Sequence, residues 1–122
     1  MGKKTSNTVF DAALNYVITN AEFMILCDVE PADRAAAIAS SLVTVTVTGG
    51  DFSIADGLIS GRRLNVAAKA GESGIADGNH NHTCLISGTE LLLVTRSVTT
   101  EAIENGDTVN VAAWGYELRD PI

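Results

Sequence analysis

The sequence predicts an all-β domain: a β-sandwich or jelly-roll-like barrel of about seven to eight short antiparallel strands, with one N-terminal helix. Three observations carry this. Leu42–Thr48 alternates Val and Thr at period two, the mark of a half-buried strand. Similar short runs recur between Gly- and Asp-rich turns along the rest of the chain. A helical period occurs convincingly only once, near the N-terminus. A parallel α/β sheet is excluded, because helices do not alternate with the strands.

The helix is expected over residues 6–20. Phe10, Leu14, Val17 and Ile18 fall on one stripe. Ser6, Asn7 or Thr8 is available as a cap, Thr8 with Asp11 resembles a capping box, and Asn20 is a stop signal. Residues 1–5 form a polar arm carrying Lys3 and Lys4, and residues 22–120 the sandwich, in one domain. Glu22–Asp28 is a short apolar run between acidic ends, suited to a strand buried on both faces. Arg34–Ser41 is Ala-rich and forms either a short helix or a loop with a helical turn. In Leu42–Thr48, Val43, Val45 and Val47 face one way and Thr44, Thr46 and Thr48 the other.

Phe52–Ile54 is a brief strand, and Arg63–Lys69 another. Asn79–Ser87 and Glu90–Arg96 flank Gly88-Thr89 and form the best hairpin candidate. Ser97–Ala102 reads as an irregular edge strand. Thr108–Leu118 closes the domain before Asp120-Pro121, because proline cannot continue a ladder. Two segments repeat almost word for word, Leu64-Asn65-Val66-Ala67-Ala68 and Val109-Asn110-Val111-Ala112-Ala113. They either occupy equivalent places in two sheets or reflect common strand composition. The flanking residues do not match, which favours composition.

The 122 residues are 46% hydrophobic and 19% charged, which excludes disorder, and only 5% are aromatic. The core is therefore expected to consist of Val, Leu, Ile and Ala, thin enough that self-association is expected. Fifteen acidic and eight basic residues give a net charge of −7, which repels phosphate backbones. Lys3-Lys4 and Arg62-Arg63 are too small to be a nucleic-acid footprint. No nucleic-acid or membrane partner is expected, since no run is long enough to span a bilayer. Met1–Asn7 has no apolar signal-peptide region, and a reducing cytoplasm is the expected place of synthesis. Cys27 and Cys84 lie within apolar strand patterns, as buried free thiols would; whether they are adjacent is left open.

The search for chemistry yields little. His80, His82 and Cys84 fall at alternate strand positions and would share one face, and all three are competent zinc ligands. Residues on one strand splay apart, however, and no C-x-x-C or second His pair supplies a fourth ligand. A hydrogen-bonded pair beside a turn accounts for them, and no metal or other cofactor is expected. No G-x-S-x-G elbow, phosphate loop or calcium loop is present. Asp51, Asp56, Asp77 and Asp107 each sit in a Gly-containing turn. No catalytic residues are assigned, and the chain is expected not to be an enzyme.

Motif order adds a resemblance. Phe10–Val17 leads into Met24–Pro31; then follow Asp51–Gly57, Ser60–Val66, Gly78–Leu85, Gly106–Val109, Trp114 and Glu117–Pro121. This order resembles a family of small virion proteins encoded among the structural genes of tailed bacteriophages, over nearly the whole chain. The departure lies at Asn79–His82, where other members carry small residues before the histidine matching His82. The resemblance implies a virion location, with assembly in the host bacterial cytoplasm. It implies a capsid decoration or cement protein docking on the major capsid protein, or on other virion proteins, as a homo-oligomer. A neck, collar or tail component is the alternative, and a small virion-associated hydrolase a more distant one.

Overall fold

A computed structural model describes residues 3–121, apart from the side chains of Val98 and Thr99. The expected arm thus begins outside the described residues, at Met1 and Gly2. Lys3 and Lys4 are exposed, and the Thr5 amide donates to Asp120 Oδ1 at 3.1 Å, tying the two chain ends together.

Helix α1 (Asn7–Asn20) follows Ser6, whose hydroxyl accepts from the Val9 amide at 3.3 Å. Ser6 is therefore the cap, and the expected Thr8–Asp11 box does not form. Asp11 instead accepts from Arg62 Nε at 2.8 Å, which pins the helix to a strand of the sheet below. Leu14 and Val17 of the expected stripe are buried, with Phe10 and Ile18 half-buried beside them.

Nine strands are present among the described residues, and all pair antiparallel. They are β1 (Phe23–Cys27), β2 (Ser41–Thr46), β3 (Phe52–Asp56), β4 (Arg62–Val66) and β5 (Lys69–Ser73). Then come β6 (Gly78–Ile86), β7 (Leu91–Ile103), β8 (Thr108–Val111) and β9 (Trp114–Leu118). One sheet has the order β2-β1-β6-β7; β3-β4-β9 and β5-β8 form the others. The architecture is β-sandwich-like, with slightly more strands than expected. The expected Thr108–Leu118 strand splits into β8 and β9, β5 forms beyond the expected Arg63–Lys69 strand, and the expected Glu90–Arg96 and Ser97–Ala102 strands run together as β7.

Strand β1 is central and buried on both faces. Met24 and Leu26 join Val43, Val45, Leu64, Val66 and Leu85 in the main core. Ile25 and Cys27 face the other way and join Cys84, Ile86 and Ala37 in a second, smaller core. Ala37 belongs to α2 (Arg34–Ala39), a six-residue helix capped by Asp33, whose carboxylate accepts from the Ala36 amide at 2.8 Å. On β2 and beyond, Val43, Val45 and Val47 are buried while Thr44, Thr46 and Thr48 are exposed, as the alternation predicts.

The repeated segments turn out to face each other. Strand β4 ends at Val66 and β8 at Val111; each is followed by two exposed alanines and then by β5 or β9. Val66 pairs with Trp114 and Lys69 with Val111, so Ala67-Ala68 lies opposite Ala112-Ala113. Both chains pass from one sheet to another here. Small residues tolerate such a corner, where a strand leaves one sheet and joins the next. The likeness of the two segments therefore has a structural basis that composition alone does not supply.

Candidate functional site

The β6-β7 hairpin shifts register once near its turn, between Leu85–Leu93 and Ile86–Leu91, is regular from Leu85–Leu93 to His82–Arg96, and then loses register again. His80 pairs with Glu101, so Ser97, Val98, Thr99 and Thr100 stand opposite Asn81 alone. Such a bulge re-aims side chains. Alternation along β6 alone would keep His80 and His82 on one face, since the extra residues lie on β7, but beside this break the His80 ring turns to the other side. His80 Nε2 lies 2.8 Å from Thr83 Oγ1 and 3.0 Å from Ser97 Oγ. Thr83 is offset from Cys84 by one residue, and Cys84 lies in the second core. The expectation that His80, His82 and Cys84 share a face is thus incorrect: His80 turns to Thr83 and Ser97, where the register with β7 breaks. His82 Nδ1 instead meets Asn81 Oδ1 at 2.7 Å, and Asn81 Nδ2 donates to the Asp28 carbonyl at 2.7 Å. Among the described residues, no group of three or more His, Cys, Asp or Glu is placed to hold a metal ion.

His80 instead belongs to an open cavity of about 640 Å³. Thr83, Thr95, Arg96, Ser97 and Glu101 line it from the first sheet, and Arg63 and Asn110–Gly115 from the other side. The second alanine corner is therefore one wall of this cavity. Arg63 Nε donates to Asn65 Oδ1 at 3.0 Å, and its guanidinium lies over Gly115, where any side chain would collide with it. Trp114 Nε1 meets Met24 Sδ at 3.1 Å, anchoring the indole to the core. Burial holds the His80 pKa below the ordinary histidine range, against the pull of Glu101 and with a small push from His82. The ring is therefore neutral at neutral pH and serves as donor or acceptor according to tautomer. Among the described residues no carboxylate hydrogen-bonds it, so the His80–Ser97 pair lacks the orienting third group of a nucleophilic triad.

The two cysteines are adjacent. Cys27 pairs with His82 and Cys84 with Ile25, a diagonal relation that leaves the sulfurs 4.0 Å apart as free, fully buried thiols. The contact with Cys27, together with burial, holds the Cys84 thiol far above its ordinary range.

The other distinctive surface is the loop between β3 and β4. Leu58 and Ile59 are 78% and 72% exposed, the highest values among the large apolar residues described. The loop is nonetheless fixed. Glu117 Oε1 accepts from the Leu58 amide, and Oε2 accepts from the Ile59 amide at 3.4 Å and from Arg119 Nε at 2.6 Å. The Asp120 amide donates to Ser60 Oγ at 3.0 Å, and the Gly57 amide to the Gly61 carbonyl at 3.0 Å. Burial acts to raise the Glu117 pKa, but Arg119 and the two amides outweigh it and hold the carboxyl below the usual range. Gly61 closes the loop at φ +68°, and a Cβ there would strike the Leu118 carbonyl.

Sequence reasoning did not single out Arg63, Arg96, Ser97, Glu101 or Trp114 as neighbours, nor Leu58-Ile59 as a surface. Leu58-Ile59 was open to notice, as two apolar residues inside a turn between Asp56-Gly57 and Ser60-Gly61. The chain matches no protein-family model, no curated protein and no solved structure.

Proposed function

We propose that the chain is a non-enzymatic structural protein of a tailed-bacteriophage virion, a decoration protein that docks on the major capsid protein and stabilises the head. One observation carries the docking role: Leu58 and Ile59 stand exposed on a loop that Glu117 and Ser60 hold in place. Exposed apolar side chains on a mobile loop lose much of their binding energy to ordering; on a fixed loop they are preorganised anchors. The phage setting rests on the motif order. An acidic, β-rich chain whose described histidines and cysteines form no metal cluster is in keeping with it. Self-association is part of the proposal, and the unpaired outer edges of β7 and β9 are available for it.

The test is copy number in purified virions. A decoration protein is present at on the order of hundreds of copies per particle, whereas a neck ring needs about six to twelve. Quantitative densitometry against the major capsid protein separates the two. A count in the lower range would move the chain to the neck or tail, and its absence from the particle would end the proposal.

A further inference from the structure

We infer that the cavity between β6-β7 and the second alanine corner binds a carboxylated sugar, with Arg63 and Arg96 holding the carboxylate and the His80–Thr83–Ser97 cluster meeting ring hydroxyls. The inference does not depend on the virion proposal. It begins with charge. Acidic residues outnumber basic ones by 15 to 8, so partners for arginine are plentiful. Arg62 takes both Asp11 and Asp56, Lys69 takes Asp51, and Arg119 takes Glu117. Among the described residues Arg63 and Arg96, like Arg34, Lys3 and Lys4, make no ion pair, and of these five only Arg63 and Arg96 line this cavity. Arg63 is held at Nε by Asn65, so its terminal nitrogens remain as donors in a fixed plane. A planar fork of that kind suits a carboxylate.

The rest of the lining narrows the ligand. Glu101 is the one carboxylate among the lining residues. It opposes a dianion such as phosphate but accepts hydrogen bonds from hydroxyls. His80, Thr83 and Ser97 already share protons with one another, and each is either donor or acceptor, as a polyhydroxyl ligand requires. The neutral state of His80 keeps that choice open. Trp114 and Ala112-Ala113 supply an apolar wall for the carbon face of a ring. The 640 Å³ volume accommodates one or two sugar rings.

Trp114 is the only tryptophan and lies in the wall, so its fluorescence reports occupancy directly. The intact chain is titrated with glucuronate, methyl β-glucuronide, glucose and inorganic phosphate at constant ionic strength. Glucuronate is expected to give a saturable change with a dissociation constant of about 1 mM, and glucose none. Arg63→Gln and the exposed Arg96→Gln should each weaken it by about tenfold, the loss of one charge-assisted contact. The glucuronide separates the two sources: equal or tighter binding assigns a glycan end, and binding of the free acid alone assigns the monosaccharide; both uphold the site. No saturable response to either uronate overturns the inference. So does phosphate binding as tightly as glucuronate, or glucuronate affinity unchanged in both arginine variants.

Discussion

Replacing Leu58 and Ile59 together by serine should separate docking from folding. The side chains are 78% and 72% exposed, so each still has about three quarters of its surface to bury. Full burial of such a side chain is worth about 2 kcal/mol, so the pair has about 3 kcal/mol to contribute at an interface. That corresponds to about a hundredfold in dissociation constant per site. Folding stability should stay within about 0.5 kcal/mol of the parent, because neither side chain supports the core. The assay is co-sedimentation of purified protein with heads that lack it, alongside urea denaturation of each variant. A double variant that binds heads within about threefold of the parent, with unchanged stability, would refute the role assigned to the loop.

Three further outcomes follow from the packing. Gly61→Ala combines a left-handed backbone with a clash at the Leu118 carbonyl and should cost on the order of 2–3 kcal/mol in urea denaturation, whereas Leu85→Ala, emptying a fully buried position, should cost about 3–5. Both thiols should be silent to a disulfide reagent in the native protein and react fully in denaturant; rapid native reaction would contradict their burial. Stability should decline with acid in two stages. His80 has a depressed folded pKa, so the unfolded chain takes up its proton first and stability begins to fall below about pH 6.5, with His82 and Glu101 as its charged neighbours. Glu117 is also depressed, but as an acid: its contribution is intact above about pH 4.3 and is lost as pH falls through its folded value. His80→Gln should remove the first stage in pH-dependent melting and leave the second.

Local chemistry determined how much of this was readable in the sequence. The Val/Thr alternation of β2, the stripe of α1 and the two-faced burial of β1 depend on periodicity within a few residues. All three were legible. The hairpin of β6 and β7 was legible for the same reason, as far as Arg96. Beyond that point four residues of β7 are accommodated opposite Asn81, and nothing in a period-two pattern announces a bulge. The expectation that His80 shares a face with His82 and Cys84 therefore failed at the residue beside this break in register. The candidate cavity was illegible for a different reason. Arg63 on β4 and Arg96 on β7 belong to different sheets, and only the corner at Ala112-Ala113 brings their strands to one hollow. Of the three cap candidates Ser6 caps the helix, and the Thr8–Asp11 box does not form because Asp11 pairs with Arg62, far along the chain.

The facing alanine corners have a consequence for how this sequence can vary. Because Ala67-Ala68 and Ala112-Ala113 oppose each other in antiparallel register, they work as a paired crease. Lengthening one side by a residue would turn every following side chain of that strand over, carrying Lys69 away from Asp51 or Trp114 away from Met24. A matching insertion on the other side would restore the pairing. Insertions and deletions at the two creases should therefore be tolerated as pairs and rejected singly, a coupling across 45 residues of chain that a library of single and paired one-residue insertions would expose.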